Sequence, residues 1–453
     1  MSISRRSLQR AQGRHAGMSG YYLDLAWRSL RRNPVLTALM VIAIGFGVAA
    51  SMITWTVFRA TSGDPVPRKS SSLYIAQLDN YGPEGNDDGE PLPWLTYTDA
   101  LALTRAHQAP KQTLMYPTAS SVVPDDPQRL PFTVRSYATT GDFFSMFDVP
   151  FLFGGGWSAA DDESRVGVVV ISRELNDKVF GGANSVGREI NLDGTGFRIA
   201  GVTDYWNPTP RFFDLDNSNG FGKAGQIYLS FNRAVDLKKK SSGGSVCNRP
   251  QGGNDWASWL RSECVWLSLW VELPARADAD RYQGFLRNYA AAQQRAGRFG
   301  WAPNVRLRDV MQWLHYRHVV PKEATIALLV AFSFLLICLV NTIGLLLAKF
   351  MRRAPEIGVR RALGASRGAI YRQFISEAAV VGLAGGALGV LLTGLGMFGT
   401  GMVFAPDIAK LAHLDIPLVA LTLLVAVVAT VLAAFYPTWR AARVQPAWQL
   451  KSN

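Results

Sequence analysis

Four stretches of this chain are long and apolar enough to cross a lipid bilayer, and that constrains the fold more than any other feature. A hydrocarbon core of about 30 Å needs roughly 20 consecutive, mostly apolar residues in helical form. Residues 35–58 carry no charged side chain. The second stretch, residues 324–350, is uncharged from Ala324 to Leu347, with Asn341 its strongly polar member there. Residues 375–404 are Gly-rich and hold Glu377 near their start, and residues 416–436 form the fourth stretch. The apolar run of the first stretch exceeds the roughly 7–15 residues of a signal-peptide core, so it is expected to stay as an uncleaved anchor. Residues 59–323 are left as one insert between the first two spans.

Charge sets the expected orientation. The chain carries a net charge of +13, which in a soluble protein would suggest a nucleic-acid partner. The excess is confined to short segments: residues 1–34 carry +6, residues 349–374 carry +6 and residues 437–453 carry +3. Residues 35–348 are neutral, with 29 bases and 29 acids. By the positive-inside rule, the N-terminus, the 351–374 loop and the 437–453 tail lie in the cytosol. The 59–323 insert and the 405–415 loop then lie outside, and nucleic acid is set aside as a partner. Within 1–34, Tyr22, Leu23, Ala26, Trp27 and Leu30 fall at helical spacing before Pro34, as expected for an amphipathic helix along the inner leaflet.

The insert reads as a mixed α+β domain. Short β-branched or alternating runs broken by glycine (RVGVVVIS, REINLD, FRIAGV, QIYLSF, VWLSLWVEL) predict strands, with helices over Arg173–Phe180 and Arg276–Gly297. Residues 308–323 keep helical spacing up to Pro321 and predict a stalk helix leading into the second span. Lys238–Ser245 (KKKSSGGS) reads as a flexible, solvated loop. Cys247 and Cys264 bracket a loop rich in Gly, Asn, Arg and Trp, with no His or further Cys beside them. Outside the cytosol that pattern favours a disulfide over free thiols or a metal pair. Cys338, within the second span, reads as an apolar packing residue.

No enzyme signature emerges. The chain lacks G-x-x-x-x-G-K-[ST], H-E-x-x-H, G-x-S-x-G and C-x-x-C motifs. His315 and His318 share a helical face, but no third or fourth ligand lies near them in sequence, so a solvated stalk face is the expectation and no metal is assigned. The acidic clusters Asp87–Asp88 and Asp161–Glu163 fall in expected loops and read as solubility features.

The 351–374 loop is more informative. Pro355 suits a first helical turn, Glu356 suits its positive end, and Gly364 suits the position just past its C-terminus. Ser366 then caps a second helix running into the third span. The short helix Glu356–Gly364 contains Ile357, Gly358, Val359, Arg360, Arg361, Ala362 and Leu363. Apolar residues on a loop that need not be buried suggest a docking surface. Asn341 and Glu377 are costly in a membrane and are functional candidates, either bonded to each other or, for Glu377, placed at the interface. The small-residue pairs Gly382/Gly386 and Gly385/Gly389 allow close helix approach, to a second copy or within the chain.

The segment LVNTIGLLLAKFMRRAPEIGVRRALGASRGAIYRQFISEA resembles the hallmark of MacB/FtsX-type (type VII) permeases of ABC transporters. The tail FYPTWRAARVQPAWQL is similar to that family's C-terminus, and DFFSMFDVPFLFGGGW through FRIAGV resembles its periplasmic core domain. Residues 205–265 carry no recognised pattern of the family.

The resemblance implies an α-helical membrane protein with four transmembrane helices, N-in and C-in, in a bacterial inner membrane. A large α+β periplasmic domain is inserted between the first two spans. It also implies mechanotransmission, with Glu356–Gly364 coupling to a separate ATPase subunit that binds ATP and magnesium, this chain needing no cofactor of its own. A second permease copy or paralogue is the implied partner, with a periplasmic adaptor and outer-membrane component as further candidates. The alternative is an FtsX-like regulator that activates a periplasmic cell-wall hydrolase.

Overall fold

Pro34 opens the first long helix, where a missing N–H is harmless because first-turn donors have no intrahelical acceptor. The computed structural model describes residues 33–83, 89–126, 128–215, 220–222, 224–249, 252–320, 322–403 and 416–442. The expected amphipathic helix of the 1–34 segment and the 405–415 loop lie outside the described residues, as does the tail beyond residue 442. Two compact units emerge, Ser62–Val320 and the helical remainder.

Helix α1 (Pro34–Ser62) precedes the first unit. That unit begins with β1 (Leu73–Leu78), β2 (Leu95–Thr96), α2 (Tyr97–Arg105), β3 (Lys111–Val123), β4 (Phe132–Thr139), α3 (Asp142–Met146), β5 (Phe151–Gly154) and α4 (Ala159–Glu163). It continues with β6 (Val168–Ser172), α5 (Arg173–Phe180), β7 (Glu189–Leu192), β8 (Thr195–Thr203), β9 (Ile227–Ser230), α6 (Phe231–Asp236), β10 (Val246–Cys247), α7 (Trp256–Arg261), β11 (Cys264–Glu272), α8 (Arg276–Arg295), β12 (Val305–Asp309) and α9 (Val310–Tyr316).

One mixed sheet organises these elements, in the order β12-β1-β11-β3-β4-β9-β6-β8-β5. Its pairings are antiparallel except β4 with β9 and β6 with β8. Both faces of the sheet are covered, so its inner strands are apolar on both sides. On β6, Val169 and Ile171 enter one core while Val168 and Val170 enter the other. The same alternation puts Leu269 and Val271 of β11 in the first core and Trp270 in the second. The second core is aromatic: Phe143 and Phe147 of the DFFSMF segment meet edge to face at 4.8 Å, and Phe147 meets Trp270 at 5.9 Å. The Trp313 indole of α9 donates to the Phe212 carbonyl at 3.0 Å and closes this face.

The stalk expectation is corrected here. Residues 305–309 are a strand, with Arg308 opposite Ile75 and Asp309 opposite Tyr74. Asp309 then caps α9 in a capping box with Gln312, and the helix stops at Tyr316. His318 adopts a left-handed φ of 49° beyond that end, so His315 and His318 do not share a helix. A strong N-cap inside an apparently helical run marks a start, and here it ends the strand as well.

The Lys238–Ser245 run is also corrected, because it is pinned rather than free. The Tyr116 and Thr118 hydroxyls donate to the carbonyls of Lys239 and Lys240 at 3.1 and 2.9 Å. The Ser242 N–H donates to the Pro117 carbonyl at 2.9 Å, and Lys239 reaches Asp193 at 2.6 Å.

Cys247 and Cys264 are directly opposed on β10 and β11 and form a disulfide. Closing a loop of this length contributes about 3 kcal/mol in the chain-entropy model. The Cys247→Ser, Cys264→Ser double variant is expected to lose about that much stability. Chemical denaturation of oxidised wild type, reduced wild type and the variant checks this, with the latter two expected to coincide.

Asp162 on α4 gathers three donors: the Gly141 N–H at 2.7 Å, the Trp157 indole at 2.8 Å and the Ser230 hydroxyl at 2.8 Å. Burial pushes its carboxyl up to about 6, outweighing those bonds. Its folded pKa is above its unfolded one, so the folded state holds the proton more tightly. Its contribution to stability is therefore fully present below the unfolded value of 3.8 and is lost as pH rises to about 6. Asp162→Asn is expected to flatten the stability profile across that window, measured by denaturation at a series of pH values.

The second unit comprises α1, α10 (Lys322–Met351), α11 (Ala354–Ala362), α12 (Arg367–Val403) and α13 (Ile416–Ala442). Among the described residues, α1, α10, α12 and α13 are long and apolar enough to cross a membrane. Their outward faces carry Leu39, Phe46, Leu329, Ile337, Leu424 and Leu432, an apolar exterior suited to lipid. Inside, the Ser51 hydroxyl of α1 donates to the Ala331 carbonyl of α10 at 3.2 Å.

Candidate coupling site

The site lies where α10, α11 and α12 meet. Lys349 and Phe350 lie in the last turn of α10, and a tight turn through Arg352 and Arg353 leads into α11. Pro355 falls in the first turn of α11, and Gly364, at a φ of +96°, reverses the chain past its end. The Ser366 hydroxyl accepts from the Ala369 N–H at 3.2 Å and starts α12. The three helices are joined by an apolar knot in which Ile357 packs with Ile370, Phe374 and Phe350, the two phenyl rings being 4.1 Å apart.

A charged knot lies beside it. Lys349 and Glu377 are both fully buried, with the ammonium 3.2 Å from a Glu377 carboxylate oxygen. The other oxygen accepts from the Arg353 guanidinium at 3.0 Å. The expected Asn341–Glu377 bond is corrected accordingly. Asn341 is exposed on α10, eight residues before Lys349, and so about 12 Å along the helix axis. The sequence signal overlooked was that a lone acid in an apolar helix needs a cation, and Lys349 and Arg353 stand one turn apart on the adjoining segment.

On α11, Ile357 and Gly358 face inward. Arg360 is held by Glu356 at 2.6 Å and Gln373 at 3.2 Å. The opposite edge is apolar and open: Val359 is 55% exposed and Leu363, just past the helix end with its N–H bonded to the Val359 carbonyl, 83%. Ala362 is exposed next to them, and the Arg361 side chain lies outside the described residues. The helix therefore has one face braced by its own chain and one apolar edge without a partner among the described residues.

Both glycine pairs meet neighbouring helices of the same chain, the second of the two readings. A Cβ on Gly382 would meet Val427 Cα of α13 at 3.0 Å, and one on Gly386 would meet Ala426 at 2.9 Å. Gly385 and Gly389 face α1 instead, near Ile44 and Val48. Helix α12 thus approaches a different neighbour through each pair.

The MacB-like periplasmic core domain model matches residues 37–288, more than half of the chain, and the FtsX-like permease C-terminal model matches residues 328–446. The chain belongs to the MacB/FtsX-type family of ABC-transporter permeases. The match runs through residues 205–265, where the sequence carries no legible family pattern. Among MacB-type relatives, the chain is 24% identical to the macrolide export ATP-binding/permease protein MacB of Escherichia coli (strain K12), over 94% of this chain and 59% of that one. It is also 24% identical to the pyoverdine export ATP-binding/permease protein PvdT of Pseudomonas savastanoi pv. phaseolicola, over 99% of this chain and 62% of that one. The chain spans about three fifths of the length of the relatives it matches. A solved structure, the periplasmic region of MacB from Actinobacillus actinomycetemcomitans, aligns at 13% identity and TM-score 0.34, over 54% of this chain and 92% of that one.

Proposed function

We propose that this chain is the membrane component of an ABC-type extrusion machine working by mechanotransmission from the cytosolic side of a bacterial inner membrane. Helix α11 docks on an ATP-binding partner, whose closure on ATP moves the ends of α10 and α12. The Ser62–Val320 domain, on the periplasmic side, responds and expels substrate there. One observation carries the reading: an exposed apolar edge, Val359 and Leu363, lies on a helix whose other face is locked to both adjoining helices by Ile357 and Arg360. Such a helix can receive a push without absorbing it. The confinement of the net positive charge to 1–34, 349–374 and 437–453 supports the sidedness. Two copies working as a pair complete the proposal, since closure needs two ATPase sites to act across a symmetric interface.

The test is reconstitution of the chain in lipid nanodiscs with an ATP-binding partner bearing a Walker motif. A stable complex with altered ATP hydrolysis is expected. An ATPase that neither co-purifies nor changes its rate when the chain is present would overturn the proposal.

A further inference from the structure

The coupling role leaves unused the two segments that stand out most in residues 238–264, the lysine run and the disulfide-closed loop. They face each other across a cleft of about 380 Å³, a volume in the range of small-molecule sites. Lys238 and Lys240 come from one wall, and Asn254, Asp255, Trp256 and Trp259 from the other.

Both walls are held in place. The lysine wall is fixed to β3 through Tyr116, Thr118 and the Pro117 carbonyl. The facing wall is closed by the Cys247–Cys264 disulfide. There, Trp256 and Trp259 lean on the fully buried Trp266, at ring separations of 6.4 and 6.1 Å. A cleft with fixed walls spends little binding energy on ordering itself.

Its charge is unbalanced. Of the three consecutive lysines, Lys239 is consumed by Asp193 and Ser120. The ammonium groups of Lys238 and Lys240 have no partner among the described residues. Asp255, the one acid among the described residues lining the cleft, is turned to the start of its own helix α7 as the N-cap. Its oxygens accept from the Ala257 and Ser258 N–H groups at 3.1 and 3.3 Å and from the Ser258 hydroxyl at 2.5 Å. Two lysines against one carboxylate leave the cleft net positive, and beside two half-buried indoles they recognise an anionic group attached to a flat apolar surface.

We infer that this cleft binds a small anionic ligand built on a ring that presents a flat apolar face, with that face against Trp256 and Trp259 and the anionic group between Lys238 and Lys240. An aromatic acid and a sugar acid both offer that chemistry. The inference does not rest on the coupling mechanism, because both walls belong to the Ser62–Val320 unit.

The test is isothermal titration of the full chain in detergent with 2-naphthoate and, separately, with a glucuronic-acid disaccharide. The neutral comparators are 2-naphthylmethanol and the corresponding glucose disaccharide. Saturable binding of at least one acid is expected, about tenfold or more tighter than its neutral comparator and weakened by salt. The K238Q/K240Q variant, whose substitutions are on exposed side chains, is expected to lose at least about tenfold in affinity with its unfolding midpoint unchanged. Binding of naphthoate alone identifies an aromatic acid, and binding of the disaccharide alone a sugar acid. No saturable binding of either acid would overturn the inference, and so would equal binding by wild type and K238Q/K240Q.

Discussion

Replacing Glu377 by alanine lowers the stability of the helical unit by about 3–5 kcal/mol, the loss expected when one member of a buried ion pair is removed. Lys349 is fully buried and faces Glu377 at 3.2 Å, so without the carboxylate it must either stay charged and uncompensated or give up its proton. Arg353 worsens its position, since with Glu377 gone two cations one turn apart face each other with nothing between them. The substitution Lys349→Met with Glu377→Leu removes both buried charges and is expected to recover most of the lost stability. The readout is unfolding in detergent of wild type, Lys349→Met, Glu377→Leu and the double variant as a double-mutant cycle, with Glu377→Ala measured beside them. If the double variant is stable yet no longer transmits nucleotide-driven motion, the charged knot serves mechanics rather than folding. A single Glu377→Ala variant as stable as wild type would remove the knot from the account.

The second large effect is on docking. Val359→Asp with Leu363→Asp places two carboxylates on the exposed edge of α11 without touching Ile357, Phe374 or the charged knot. Stability is expected to change little, because neither side chain is packed in the knot. Association with the ATP-binding partner is expected to fall by about a hundredfold, as desolvating two unpaired carboxylates in an apolar contact costs several kcal/mol. Co-purification and ATPase stimulation measure it. This is a cleaner probe than reversing Arg360, which Glu356 and Gln373 hold within the chain, so that its loss would also unsettle α11. Retained binding in the Val359/Leu363 variant would move the docking surface elsewhere.

Much of this architecture is legible before folding because the signals are local. The four spans follow from length and apolarity, and Gly364 and Ser366 mark the ends of their helices through backbone chemistry that needs no tertiary partner. Strands β6 and β11 read clearly because burial on both faces makes them continuously apolar. What escaped the sequence depends on the fold. Strand β3 runs through Pro117, which lacks the N–H a central strand uses, yet it pairs with β4 along eight positions. Strand β12 hides beside the Asp309 cap, where a short alternating run merges into helical spacing. The partners of Glu377 come from a different helix, and the lysine run is immobilised by hydroxyls more than a hundred residues away. Sequence spacing cannot reveal such long-range partners.

The central claim is that a push on α11 reaches the Ser62–Val320 domain. The most direct measurement places a spin label at Tyr205, an exposed site in that domain, and records distances between the labels of two copies in a nanodisc complex with the ATPase. A nucleotide-dependent shift in the distance distribution is expected, and it disappears in the Val359→Asp, Leu363→Asp variant. A distribution unchanged by ATP in a complex that hydrolyses it would contradict the account.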